Sequence, residues 1–445
     1  MEPVHEPARE TPVIAECDVC VAGGGVTGVF AAVAAARAGA EVVLVERYGF
    51  LGGMATAGLV SVWHSLYDTS GEIEIIRGLT REVIERLRAR GAVIDRDTSS
   101  GTGYSFDTEQ MKLELDDLAI GADVRVLFHA WLAGAVVDDG RVEAAIVETK
   151  SGRAAVRAKA FVDATGDGDL AAAAGFPFEK SPHLQPPTTC FHLAGLPDGI
   201  RLQKTLFAPE YRDRLPAGFL WSTVIPGRPG TIMVAGTRAF GADCADAWSF
   251  SHAETEGRRQ VRAMLDILHA TPGCENATVT CIAPQIGVRE TRRFTGLHVL
   301  TEEEVLTGVR FPDAIANGSY RVDIHEAEGE GLTFRYLDGR QVFIGADGRR
   351  EESRWCDECD AYPTFYQIPY RSLVPVGSEN LLVAGRCIST DTNAFGATRV
   401  MVNCNQTGHT AGLAAAKVAA TGQPAPDINT DDLRRALESQ GAAII

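Results

Sequence analysis

The stretch Cys17–Glu46, CDVCVAGGGVTGVFAAVAAARAGAEVVLVE, sets a strand, a glycine turn, a helix and a second strand end to end. Val19–Ala22 is a short apolar run of the kind that forms a buried strand. Gly23-Gly24-Gly25-Val26-Thr27-Gly28 follows directly and fills the pattern G-x-G-x-x-G. Val29–Arg37 is mostly alanine and predicts a helix that Gly39 stops, and Val42–Val45 is a second apolar strand running into Glu46 and Arg47. Gly23 permits the tight turn, Gly25 lets backbone approach a pyrophosphate, and Gly28 with Ala32 lets the helix lie close on the sheet. Val26 and Thr27 open the helix, whose free N–H groups and dipole favour the pyrophosphate's charge. Glu46 is spaced to accept ribose hydroxyls. Together these parts predict a dinucleotide-binding unit.

Composition sets the bounds. A chain of 445 residues with 45% hydrophobic and 23% charged residues suits two or three globular domains. Its net charge of −17 argues against nucleic acid and against anionic lipid, both of which need clustered Lys and Arg. The first residues, MEPVHEPARETPVIAE, carry no apolar signal core, and no apolar run is long enough to span a bilayer, so a cytoplasmic protein without a membrane partner is expected. Ten cysteines do not make a disulfide scaffold. Cys17 and Cys20 read as strand residues. Cys356 and Cys359 form a C-x-x-C pair without basic neighbours to activate a thiol or a second pair to complete a zinc site, so no metal is expected. A homo-oligomeric state is left open.

Beyond Glu46 a glycine-rich loop, Tyr48–Gly58, implies backbone lying against something flat or bulky. Ile76, Leu79, Val83 and Leu87 recur at helical spacing, and Asp107 starts another helix with Gln110 three residues on. Ala135–Val137, Val142–Val147 and Ala154–Val156 predict a β-meander that returns to a further strand at Ala160–Asp163. From Pro186 to Pro363 aromatic residues, prolines and arginines rise and no βαβ rhythm is visible. The expected architecture is α/β. A discontinuous doubly wound nucleotide domain (1–185 and 364–445) bears the inserted meander, and a mixed antiparallel β-rich substrate domain occupies 186–363.

Three glycine-rich junctions, Gly23–Gly28, Ala164–Asp169 and Ala384–Ala397, end apolar strands. A simple NAD unit needs only the first. Three that converge on one ligand predict FAD, which is long enough to pass several strand ends at the switch point of the sheet. The expected cofactor-binding residues are Gly23, Gly25, Val26, Thr27, Gly28, Glu46 and Arg47 from the first unit, and Gly53, Met54, Ala55 and Thr56 from the loop. Gly166 and Asp167 come from the second junction, with Gly385, Arg386, Ala397, Arg399 and Val400 from the third. Asp167 or Asp169 would hold ribityl hydroxyls, and the last helix, opening near Gly396–Met401, would turn its positive end to the flavin.

With these residues in view, the chain resembles the FAD-dependent oxidoreductases of the glutathione-reductase-type flavoprotein fold. It is distantly similar to fumarate reductase flavoprotein subunits and thiazole-forming enzymes. The dinucleotide turn, Leu51–Thr56, Phe161–Leu170, Ile286–Arg293, Asp323–His325, Ile368–Leu373, Asn380–Ser389 and Gly396–Met401 carry the likeness over most of the chain. The resemblance implies FAD and redox chemistry and leaves the substrate unnamed.

His325 is the first choice of acid/base, because histidine titrates near neutrality and Asp323-Ile324-His325 matches a family motif. The competing reading is a structural histidine pinned by Asp323. Arg289, Arg292 and Arg293 follow an apolar stretch beside Glu290. On a strand Arg289 and Arg293 would face one way and Arg292 the other. Arg289 and Arg292 are expected to clamp a substrate oxyanion, against the alternative of an interface ion-pair network. His64 is weighed as a covalent flavin attachment point and His192 as a cavity residue, while Tyr370 reads as core. The activity expected is dehydrogenation or reduction of a small polar or anionic molecule, with hydride moving between substrate and flavin N5 and O2 or a separate carrier taking the electrons. The alternatives are flavin-dependent monooxygenation and a non-catalytic FAD- or NAD-binding subunit or sensor.

Overall fold

The computed structural model describes residues 2–96, 102–216, 218–326, 331–345 and 348–445. The opening unit is β1 (Val13–Ala22), α1 (Val26–Arg37) and β2 (Val42–Val45), so the strand begins earlier and the helix opens three residues sooner than the apolar pattern suggests. Only Val19–Ala22 of β1 is fully buried, which is why the pattern showed that part alone. β3 (Arg125–Leu127), β4 (Trp131–Asp138), β5 (Arg141–Thr149) and β6 (Gly152–Asp163) follow. They join one seven-stranded sheet in the order β3-β2-β1-β6-β5-β4, with the late strand Leu381–Val383 also on β6. The fold is thus mixed α/β, with parallel pairing at the centre and an antiparallel meander at one edge.

The meander's third strand and the strand expected at Ala160 are one element. β6 pairs its first half with β5 and its second half with the late strand, along the same edge. Register makes this useful. Ala22 lies opposite both Val45 and Asp163, and Val383 lies opposite Asp163, so four parallel strands end level. The turns that leave them therefore gather at one end of the sheet, outside the strands' carboxyl ends, where ligands bind in open α/β sheets.

β7 (Cys190–Ala194), β8 (Trp221–Val224), β9 (Thr231–Ala235) and β10 (Thr278–Ile282) form an antiparallel sheet in the order β8-β9-β7-β10. α2 (Ala247–His269), capped by the Asp246 carboxylate accepting from Ser249 N, covers it. Phe191, Val234, Val261, Met264 and Ile267 make a separate core between them. β11 (Val322–His325), β12 (Gly331–Arg335), β13 (Arg340–Gly345) and β14 (Arg350–Arg354) form a second antiparallel sheet in chain order. Residues 289–292 are not a strand. Only Arg293–Phe294 pairs, so the expected alternation of Arg289, Arg292 and Arg293 does not hold. Phe294, Leu300, Ile315 and Val322 pack into the same core as the large sheet.

α3 (Met401–Thr421) is buried on nearly every side, which its many alanines and small polar residues allow. It lies against α1 at close range because Gly408 and Gly412 face that helix. A Cβ at Gly408 would stand 2.1 Å from Thr27 O, and one at Gly412 2.0 Å from Ala31 O. Two glycines four residues apart share a helix face, and here they let the two backbones touch. Among the described residues no helix is long and apolar enough to cross a membrane.

Candidate active site

The level strand ends open into a cleft lined by all three glycine junctions: Gly23–Thr27 in part, Ala164–Asp167 and Ala384–Arg386. Gly23 holds φ at +95°, and a Cβ there would meet Ala164 O at 2.5 Å, so the first turn is built against the second. Gly28 does not line the cleft. A Cβ at Gly28 would fall 1.8 Å from Gly23 O, so its hydrogen is what closes the turn. Glu46 is buried, and its carboxylate takes one backbone N–H on each oxygen, from Gly24 at 2.6 Å and Tyr48 at 2.8 Å. Burial nonetheless pushes its pKa up. A carboxylate has about four acceptor sites, so capacity remains for hydroxyl donors in the cleft.

At the second junction Asp167 takes Arg386 Nη2 at 3.1 Å and Thr291 Oγ1 at 2.8 Å. The fully buried Asp163 shapes the turn itself, accepting from Thr165 N, Thr165 Oγ1 and Ala171 N, with burial lifting it to about 6. From α3, Asn405 reaches the cleft wall fully buried, with neither amide atom hydrogen-bonded among the described residues. A buried primary amide left so calls for a ligand that both donates and accepts.

A second cavity of about 500 Å³ adjoins the cleft, within the size range of small-molecule sites. Met54, Arg386, Arg399 and Met401 line both spaces. Arg289 reaches the second cavity, its Nη1 donating to Thr188 Oγ1 at 2.6 Å and to Pro186 O. Burial, and then Arg399 and Arg238 nearby, pull its pKa down to about 9. Arg238 donates to Phe219 O at 2.8 Å and is lowered by burial to about 10. Asp323 binds Tyr320 Oη at 2.8 Å and Arg399 Nη2 at 3.3 Å, while His325 Nε2 stands 3.5 Å from its other oxygen. Burial first, then Arg289, Arg399, Arg238 and Arg321, hold the His325 imidazole well below its ordinary range, so the ring is neutral. Its Nδ1 has no hydrogen-bond partner among the described residues.

The structure brings His325 and Arg289 together on this cavity but not Arg292. Arg292 instead pairs with Asp169 at 2.9 Å and donates to Asp167 O, on the far side of the cleft. Arg293 pairs with buried Glu290 at 2.5 Å. Gly25, Val26, Thr27, Arg47, Gly53, Met54, Gly166, Gly385 and Arg399 all line the cleft, whereas Val400 lines only the second cavity. Ala55, Thr56 and Ala397 line neither. The Thr56 hydroxyl donates to Leu51 O, and Ala397 O accepts from Tyr366 and Asn403, so these residues shape the loop and the helix start from behind. His64 faces the second cavity, where burial takes it down to about 3. His192 sits within β7 with both ring nitrogens unpartnered among the described residues, and Tyr370 is core, its hydroxyl bound to Ala425 O. Cys356 and Cys359 lie in a loop after β14, and no metal-ligand cluster occurs among the described residues.

Sequence reasoning passed over Arg238, Arg321, Tyr320, Gln285 and Asn405. Arg321, Asp323 and His325 stand at alternate positions around apolar Val322 and Ile324. That period of two marks one polar face of a strand and was a usable signal.

Among solved structures the chain is similar to a geranylgeranyl bacteriochlorophyll reductase-like protein from Thermoplasma acidophilum. The two are 12% identical over 96% of this chain and 84% of that chain, with a TM-score of 0.49. It is also similar to a flavin-dependent brominase (13%, 93% and 81%, TM-score 0.45) and a flavoprotein/dehydrogenase from Cytophaga hutchinsonii (14%, 95% and 83%, TM-score 0.42). Likeness at this level bears on no function. No curated protein matches the chain. The family model described as FAD dependent oxidoreductase matches residues 18–437. The cleft suits that cofactor: backbone turns for a pyrophosphate, spare acceptor capacity on Glu46, and the unpartnered amide of Asn405. The chain belongs to the FAD dependent oxidoreductase family, and FAD is its cofactor.

Proposed function

We propose that this flavoenzyme is a dehydrogenase or reductase of a small anionic organic molecule. One observation carries the reading: the dinucleotide cleft and the arginine-lined cavity share Met54, Arg386, Arg399 and Met401 as a common wall. A substrate in the second space would stand beside whatever reaches the end of the first. FAD supplies hydride exchange at its N5 position.

The protein's part is to bind, orient and handle a proton. Arg289 and Arg238 would hold the substrate's oxyanion, and the fixed fork of a guanidinium suits a carboxylate. His325, neutral and with Nδ1 free, would accept or return the substrate's proton, and Asp323 would orient it. A bound anion offsets the surrounding arginines and so moves the imidazole back towards neutral titration. Met54, Val60 and Val62 would keep water out. In this reading the large sheet is the doubly wound scaffold of an FAD domain formed by 1–185 and 364–445, and 186–363 supplies the substrate wall. O2 or a separate carrier would take the electrons.

The burial of His325 and His64 in the same cavity also favours a second reading, monooxygenation, which needs a site shielded from water. An anaerobic screen of organic acids against the yellow holoenzyme tests the first. Bleaching of the flavin without oxygen is expected. Bleaching only by a nicotinamide reductant, with oxygen then consumed and a hydroxylated product formed, would replace it with the second.

A further inference from the structure

The second cavity holds far more positive than negative charge. Arg96, Arg238, Arg289, Arg321, Arg386 and Arg399 line it, and Asp323 is the single carboxylate that does so among the described residues. Arg386 is spoken for by Asp167 and Arg399 by Asp323. Among the described residues Arg238 and Arg289 have only backbone carbonyls and a threonine hydroxyl as acceptors. Arg96 reaches the hydroxyls of Ser105 and Thr223. Among the described residues Arg321 is held by aromatic faces alone, 4.3 Å from the Phe334 ring centroid and 5.0 Å from that of Tyr320, with a buried Nε that has no hydrogen-bond partner. None of these four forms an ion pair among the described residues. Arg238 is buried, and Arg96, Arg289 and Arg321 are half-buried. A charge withdrawn from water without a partner is costly, and four gathered in one cavity are tolerated where a ligand of opposite charge completes the site.

The rest of the lining is of another kind. Phe219, Leu220 and Trp221 at the start of β8, and Leu332 and Phe334 on β12, give the cavity a broad apolar and aromatic side. A small, fully hydrated dianion would leave that side unused. Resting on the reading of this space as the substrate site, we infer that the substrate is an amphipathic anion, an apolar body carrying at least two anionic groups, with Arg289 and Arg321 as specificity-determining residues. The anionic groups satisfy the unpaired guanidiniums, and the body lies against Phe219, Trp221 and Phe334.

Isothermal titration of the oxidised holoenzyme with four probes tests this without turnover: phenylsuccinate, succinate, phenylacetate and phenylacetamide. Phenylsuccinate should bind about tenfold more tightly than phenylacetate or succinate, and phenylacetamide should not bind measurably. Arg321→Met should lower phenylsuccinate affinity by about tenfold and Arg321→Lys by less, with the flavin spectrum unchanged and the melting temperature not lowered. Arg321 is the better target because it makes no hydrogen bond among the described residues. Equal binding of all four probes, or preference for the amide, would overturn the inference. So would an affinity indifferent to both Arg321 and Arg289. The two readings fail separately. Tight dianion binding by a flavin that no organic acid or reductant changes would count against the redox role and leave the ligand class standing. Flavin bleached by a neutral compound, with no anion bound, would do the reverse.

Discussion

The cofactor cleft and the cavity beside it are built by opposite means. The cleft is made of backbone: turns of glycine and alanine at level strand ends, with its charged groups paired or hydrogen-bonded, Glu46 to two N–H groups and Asp167 to Arg386. The cavity is made of long side chains from separate elements, and its charges do not balance. A site for an invariant ligand can be fixed by main-chain geometry, which tolerates no substitution. A site for a particular substrate is set by side chains, which can be exchanged one at a time.

The strongest way to break that contrast is Gly28→Ala. The added methyl collides with Gly23 O, so a loss of about 3 kcal/mol and a protein that emerges from gel filtration without flavin are expected. A yellow variant with an unchanged melting temperature would mean that the turn is not rigid. His325→Asn should keep its flavin yet slow flavin reduction by substrate about a hundredfold in stopped flow, and unchanged rates would remove the ring from proton handling. Arg289→Lys should raise KM about tenfold at constant flavin content, because an ammonium cannot replace the fork. A fall in kcat alone would argue against a clamp.

Acid sharpens the comparison from the stability side. Burial holds His192 and His409 down to about 4 and His64 to about 3, and His325 is depressed as well. Below pH about 6.5 the unfolded chain takes up protons that the folded chain refuses. Stability therefore falls as pH drops through that value, by about 1.4 kcal/mol per pH unit for each refused proton. Asp163, raised to about 6, opposes this between its unfolded pKa and pH 6. Glu46, Asp116 and Asp169, which burial also raises, act in the same sense at lower pH, so the histidines act alone only in about the first half unit below pH 6.5. Denaturant unfolding followed from neutral pH downward measures the balance, and a flat profile would mean that these rings are hydrated. The smallest effect belongs to the exposed loop: Cys356→Ser and Cys359→Ser should each change stability by less than about 0.5 kcal/mol, and a larger loss would reveal a bond between them.

The same contrast explains what could be read from the chain. Gly23–Gly28 and Glu46 work within one βαβ unit, so spacing alone exposes them. Ala164–Asp167 and Ala384–Arg386 were recognisable as strand exits, though only the register of Ala22, Asp163 and Val383 shows that they meet. Arg238 and Arg321 lie eighty-three positions apart and take their meaning from burial beside one another, which no local pattern records. Arg292 was misjudged for the same reason. Once residues 289–292 leave strand geometry, Arg292 and Arg293 each follow a carboxylate of their own, while Arg289 turns to the second cavity.

The glycines at 408 and 412 carry a last consequence, for biosynthesis. They seat the closing helix on the first one, and that closing helix brings Met401 and Asn405 to the cleft. The pocket's two halves are thus translated hundreds of codons apart. A chain truncated before the closing helix lacks one wall of the cleft and is expected to emerge from gel filtration without flavin.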